Sequence, residues 1–484
     1  MQLAGVDEAV EGALSPWAER LSSVVFFELS LFGTALPLIV VWLVVAGLVF
    51  TAYLGGINVR GFGHAVALAR GKYADQRNPG EVSHFGALAT ALSGTVGLGN
   101  IAGVAVAITL GGPGATFWMV VAGFLGMATK FTECTLGVRY RREFPDGTVS
   151  GGPMHYLSRG LAERGMRRLG VVLAAFFCVM LMGSALGGGN AFQSNQAYRQ
   201  VREVTGGDAS PFADAAWLFG LLLAGAVALV ILGGIQSIAR VTKALVPFMA
   251  VLYVGAGLVV IAFNAAAVPE ALRLILSGAF TGEGIAGGAV GALIVGFQRA
   301  AFSNEAGIGS AAIAHSAVKT DKPVTEGYVA LLEPFIDTIV VCTTTALVIV
   351  VTGQYLAEDA ADGVALTSES FATALPWFPE LLAVAVVLFA FSTMLAWAYY
   401  GVKAARYLFG ETMLVENAFK AVFLLFVVLG ASVQLEAVLA FSDSMIFLMA
   451  IPNILGLYLL GPVVKREMQE YQRELAEGRL TRTS

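Results

Sequence analysis

Two glycine-interrupted stretches carry most of the residues that could hold a solute. The first, Gly94-Thr-Val-Gly-Leu-Gly-Asn100, lies inside an apolar run over 85–109. The second is Phe302-Ser-Asn-Glu-Ala-Gly-Ile-Gly-Ser310. Glycine costs about 1 kcal/mol per position in a helix relative to alanine, so neither stretch builds a continuous one. At bilayer depth the freed N–H and C=O groups find no water, and a break persists only where it faces protein, a water-filled cavity or a ligand. Bare peptide groups at such a break are a binding site that adds no charge to the membrane. Gly97-Leu-Gly-Asn-Ile-Ala102 and Gly307-Ile-Gly-Ser-Ala-Ala312 also match each other in pattern. Two broken helices in corresponding halves point to a secondary transporter with its site at the repeat interface.

The elements that position these stretches follow from composition. Of the 484 residues 57% are hydrophobic and 13% charged, with a mean hydropathy of +0.76; soluble domains carry about 25% charge. The chain is a polytopic membrane protein with no room for a large soluble domain. The net charge of -5 gives no reason to expect nucleic acid. Cys134, Cys178 and Cys342 are far apart in apolar segments and read as buried small residues.

At about 20 apolar residues per crossing, eleven spans are predicted: 32–54, 85–109, 115–138, 171–195, 215–235, 245–263, 285–315, 328–351, 381–407, 418–433 and 437–463. Lys and Arg gather in alternate loops, around 60–77, 139–168, 240–243, 319–322 and 403–406 and in the tail. The loop over 354–380 has five acidic residues and no basic one. The positive-inside rule then puts the C-terminus in the cytoplasm and the N-terminus outside. Residues 1–31 read as an outer surface segment, 32–54 as an accessory span, 85–266 and 285–463 as five-helix repeats, and 464–484 as a cytoplasmic tail. Five is odd, so the repeats are inverted.

Several longer motifs carry a family likeness: Gly94 to Ala105, Gly111-Gly-Pro-Gly-Ala-Thr-Phe-Trp-Met119, Lys130-Phe-Thr-Glu133, Phe302 to Ala311, and Asp337-Thr with Cys342-Thr. Over about 35–465 the chain resembles the alanine or glycine:cation symporter family. The resemblance implies an all-α membrane protein with a leucine-transporter-like 5+5 inverted repeat preceded by one extra helix. It also implies import of small neutral amino acids, alanine or glycine, coupled to Na+ across the plasma (inner) membrane.

Applied to these residues, the resemblance implies a substrate site at Thr95, Leu98, Gly99, Asn100, Gln193, Phe302, Ser303 and Trp397. The amides of Leu98 and Gly99, backed by a positive helix end, suit the carboxylate, and carbonyls at Phe302 and Ser303 suit the ammonium. One sodium would take carbonyls of Ser93 and Val96 and hydroxyls of Ser392 and Thr393. A second set would be the Thr95 carbonyl, Asn100, Ser303 and the substrate carboxylate, with one sodium per substrate as the default. Phe302 and Trp397 would restrict the pocket to small side chains.

Intramembrane charges are functional candidates. Lys130 with Glu133, and Arg299 with Glu305, are spaced to pair as structural or gate contacts. Glu305 or Asp337 as a proton acceptor keeps proton coupling as an alternative, and a channel is the rival class. The four histidines lie at or near the basic loops and suggest no role. An enzyme is not expected, since there is no nucleophile elbow, zinc motif or phosphate loop.

Overall fold

The computed structural model describes residues 20–31, 34–73, 77–281, 288–357, 361–433 and 435–480. The expected outer segment therefore lies, over 1–19, outside the described residues, as do 285–287 at the start of the seventh predicted span. A hairpin of β1 (Glu28–Leu31) and β2 (Thr34–Pro37) leads into α1 (Leu38–Tyr53). At 1.5 Å per residue this 16-residue helix is about 24 Å long, less than the roughly 30 Å hydrocarbon core.

The first broken span is α2 (His84–Thr95) and α3 (Ala102–Gly111), bent by 56°. Ser83 caps α2 by accepting from the Gly86 amide. There follow α4 (Gly114–Arg139), α5 (Arg167–Val204), α6 (Ala216–Ile231) and α7 (Gly234–Phe263). Helix α8 (Val268–Thr281) stands where the sequence reading left a loop. Ala271, Ile275 and Ala279, four apart, form its buried face, and Leu272, Leu276 and Phe280 are exposed.

The second broken span is α9 (Gly288–Asn304) and the short α10 (Ala311–His315). Next come α11 (Pro323–Thr352), α12 (Gly363–Ala372), α13 (Phe378–Phe409), α14 (Met413–Gly430) and α15 (Leu435–Ala476). Helix α15 runs past residue 463, where the tail was expected to begin. Among the described residues seven helices are long and apolar enough to cross a membrane, or eight if the bent pair is one span. Helices α1, α6 and α9, of 16, 16 and 17 residues, fall short of that length.

Burial separates scaffold from rim. The most apolar windows of α4 and α13 are 72% buried, against 28% in α7 and 22% in α14. The outer helices expose Phe248, Val251, Leu258, Val422 and Leu425, an apolar face suited to lipid. Helix α4 reaches the second broken span through small residues. A Cβ on Gly126 would lie 2.7 Å from Ala306 Cβ, and one on Gly137 2.8 Å from Ala312 O.

One end of the molecule collects basic loops. The Arg141 guanidinium, 8% exposed, donates to the carbonyls of Pro79, Ser316, Val318 and Thr320 at 2.6–3.1 Å. Lys403 donates to Val149 O at 2.8 Å, and Lys322 pairs with Glu474. The other end carries Arg199 with Asp362 and Arg202 with Asp208.

Candidate functional site

Both breaks are made the same way. At the first, the Gly97 amide turns from its helical acceptor, Ser93 O, to Asn100 Oδ1 at 2.8 Å, and the Leu98 amide turns from Gly94 O to Gln193 Oε1 at 3.1 Å. At the second, the Ala306 amide leaves Phe302 O for Asn304 Oδ1 at 3.0 Å. An asparagine thus folds back on each break, and the Ser93 and Phe302 carbonyls lose their helical donors. Glu305, Gly307 and Gly309 take φ of 55°, 89° and 92°. Left-handed backbone is cheap for the glycines and strained for Glu305.

The two breaks face each other. A Cβ on Gly99 would sit 3.4 Å from Ser303 Cα and 3.5 Å from the Phe302 ring. Between them lies Asp337, on a π-helical stretch of α11 over Phe335–Cys342. Its carboxylate accepts from Asn100 Nδ2 at 2.6 Å, Ser303 Oγ at 3.0 Å and Thr338 Oγ1 at 2.7 Å. Asn304 Nδ2 reaches Thr338 Oγ1 at 2.9 Å, and Thr345 Oγ1 donates to Asn100 O at 2.8 Å. One anion thereby fixes both breaks.

The remaining walls come from α5 and α13. A π-helical turn at Gly187–Ala191 in α5 presents bare backbone. A Cβ on Gly189 would meet Trp397 Cγ at 2.2 Å, and one on Gly188 would meet the Phe302 ring at 3.6 Å. Gln193 Nε2 donates to Gly188 O at 2.9 Å while its oxygen holds the Leu98 amide. Thr393 lies against Gly97, and its Oγ1 is buried with no hydrogen-bond partner. Ser392 Oγ donates to Phe389 O at 3.0 Å and Ser93 Oγ to Thr90 O at 2.8 Å.

The structure therefore brings Leu98, Gly99, Asn100, Gln193, Phe302, Ser303 and Trp397 together. Gly94 lies against Ala396 and Tyr400 of α13 and Gly97 against Thr393, and Ser93, Thr95, Val96 and Ser392 are buried in or beside the same two helices. Buried Thr393 Oγ1 and the released Ser93 carbonyl are hard oxygens of the kind a small cation requires. In the second proposed ion set, Asn100 Oδ1 already accepts from Gly97 and Ser303 Oγ is turned to Asp337.

Two expected pairings give way to others. Lys130 binds Glu333 at 3.1 Å, while Glu133 accepts from Asn453 at 2.7 Å. Arg299 pairs with Asp443, 5.5 Å from the Phe302 ring centroid, and Glu305 accepts from Ser310. Helical spacing could not show this, because the partners come from helices distant in sequence. Asn304 stood inside the second glycine-interrupted stretch but was given no role, and Thr345 escaped the sequence reading altogether. Asp337 stood out there as part of a family motif and as an intramembrane charge, without its partners.

Broken helices facing each other across a buried polar centre, in a chain of apolar helices, define a membrane transporter rather than an enzyme. The chain matches the model of the Sodium:alanine symporter family over residues 21–484 and belongs to that family. It is 41% identical over 438 residues to the sodium/alanine symporter AgcS of Methanococcus maripaludis, covering 90% of this chain and 94% of the relative. It is 33% identical over 444 residues to the probable sodium/glutamine symporter GlnT of Bacillus subtilis, covering 91% and 89%. The solved structure of MhsT in complex with L-phenylalanine superposes with a TM-score of 0.54 at 14% identity, covering 80% of this chain and 98% of that one. That likeness establishes a shared fold of the leucine-transporter type.

Proposed function

We propose that this protein imports alanine or glycine together with Na+ by alternating access. The observation that carries the reading is the pair of facing breaks, where Gly97, Leu98 and Ala306 amides leave the helical ladder and the Ser93 and Phe302 carbonyls lose their donors. The substrate carboxylate would replace Gln193 Oε1 on the Leu98 amide and take the Gly99 amide, and the ammonium would meet the Phe302 and Ser303 carbonyls. Phe302 and Trp397, packed against Gly188 and Gly189, would restrict a bound side chain to one carbon or none. Thr95 completes the pocket wall.

Sodium fits the Ser93 and Val96 carbonyls with the Ser392 and Thr393 hydroxyls, because Thr393 Oγ1 has no protein partner to give up. The engaged Asn100 favours one ion per substrate over two. Ion and substrate together stabilise the closed outer side, where Arg299 and Asp443 pair beside Phe302. Release follows when the inner segments, α2 and α10, move apart. The basic loops gathered at one end support eleven spans with a 5+5 inverted repeat, the N-terminus outside and the C-terminus in the cytoplasm. On that reading the chain is an integral inner-membrane protein whose partners are the amino acid and the bilayer.

The test is uptake of labelled alanine into proteoliposomes, with sodium replaced by potassium, and with glycine, serine and glutamine as competitors. Sodium-dependent uptake blocked by glycine and spared by glutamine is expected. Uptake indifferent to sodium overturns the coupling, and absence of counterflow overturns the carrier.

A further inference from the structure

A second buried polar chain lies at the basic end of the molecule, apart from the breaks. Lys130 Nζ of α4 donates to Glu333 Oε2 of α11 at 3.1 Å. Glu333 Oε1 lies 2.6 Å from His315 Nε2 at the end of α10, and His315 Nδ1 lies 2.5 Å from Glu326 Oε2 of α11. Glu326 Oε1 bonds His84 Nδ1 at the start of α2. His84 is 3% exposed, and His315, Glu326, Glu333 and Lys130 are fully buried. Glu326 thus ties together the inner ends of both broken spans.

Counting protons shows what this chain holds. Three imidazole–carboxylate contacts each need a hydrogen between the heavy atoms, and two neutral imidazoles bring one N–H each. His315 faces carboxylates with both ring nitrogens, so one contact is unmade unless the cluster carries an additional proton. Without that proton, two oxygen or nitrogen lone pairs would confront each other in a dry site, which is costly. Lys130 does not supply it, since its ammonium is turned to the other oxygen of Glu333. The remaining groups facing the cluster are Glu133 and Cys134 of α4, Glu305 at the second break, Asp337 farther along α11, Tyr400 of α13 and Lys243 of α7 beside Gly86.

We propose that His84, His315, Glu326 and Glu333 form a proton-binding latch that holds the inner ends of α2 and α10 shut. The inference rests on the alternating-access reading above, which makes these the segments that part. When they separate, each group meets water and the proton leaves to the cytoplasm; on closure it returns from the same side. The proton therefore tunes inner opening to internal pH and is not carried across the membrane.

Hydrogen–deuterium exchange of the full chain in lipid nanodiscs, corrected for the intrinsic pH dependence of exchange, tests this without substrate or transport. Opening of the peptides covering 84–95 and 311–322 should rise about tenfold per pH unit somewhere between pH 6 and 8.5, the slope of one proton released on opening. His315→Gln should abolish the slope, because the one imidazole–carboxylate contact left, His84 with Glu326, needs only the N–H that neutral His84 already brings, and the amide does not titrate. His84→Gln should keep it, since the two contacts of His315 survive. A wild-type protein with no slope overturns the proposal whether or not the variants fold, as does an unchanged slope in H315Q. Substrate-driven proton movement across proteoliposomes that H315Q removes also overturns it, because the proton would then cross. Failure of alanine uptake beside an intact slope would sink the symporter reading and leave the latch standing.

Discussion

Thr393 and Asp337 show two ways of handling polarity where water is scarce. A buried hydroxyl without a partner costs about 1–3 kcal/mol, and Thr393 Oγ1 is in that condition. Thr393→Val, which keeps the shape, is therefore expected to leave sodium-free thermal stability unchanged or higher. On the proposed sodium site it should also abolish the rise in Tm expected from sodium binding to the folded state. Unfolding followed with and without sodium in detergent checks both. Asp337 is the opposite case, with three donors aimed at one carboxylate. Asp337→Asn keeps the size but turns a donating NH2 toward Asn100, Ser303 or Thr338. Charge-assisted bonds contribute about 1.5–3 kcal/mol, so a rise of at least tenfold in the half-saturating sodium or alanine concentration is expected in uptake assays. An unchanged value would remove Asp337 from the site.

At the level of elements, the breaks depend on backbone that only certain residues adopt. Gly307 has φ 89°, and an added Cβ would lie 2.6 Å from Leu43 Cδ2. Gly307→Ala should destabilise by about 1–2 kcal/mol from the left-handed backbone alone, and more from the clash, read as a lowered Tm. Both breaks were legible because glycine spacing is a local signal. The identity of what fastens them was less so. Asn100 directly follows the glycines of the first motif and was found, whereas Asn304 stands between Ser303 and Glu305 in the second with nothing local to single it out. Asp337 was seen as a charge without a partner, since packing sets the register of α11 against its neighbours, and its contacts lie 237 residues away at Asn100 and 34 away at Ser303. The Lys130–Glu133 and Arg299–Glu305 spacings misled for the same reason: intrahelical distance says what can meet, and tertiary neighbours decide what does. Helix α8 was missed because its buried stripe is mostly alanine, too weak a contrast for a hydropathy reading.

For the whole molecule, the sequence spoke through charge. Basic loops far apart in the chain meet at one end, and Arg141 binds four backbone carbonyls from two of them. Arg141→Ala should cost about 3 kcal/mol, and Arg141→Lys should recover little, because an ammonium lacks the planar fork that spans several acceptors. Thermal unfolding, with protease sensitivity of the 78–84 and 316–322 segments, measures this. Surviving stability in R141A would mean these loops are held by α2 and α10 instead.

The folded-back asparagines have a bearing on traffic in the unloaded direction. A carrier must recross its cycle with nothing aboard, and a hinge whose peptide groups depended on cargo for hydrogen bonds would stall there. Asn100, Gln193 and Asn304 bond those peptide groups from within the chain, so the hinge need not wait for cargo to satisfy them. Vesicles containing no amino acid at the outset should consequently fill, rather than trade one molecule for another.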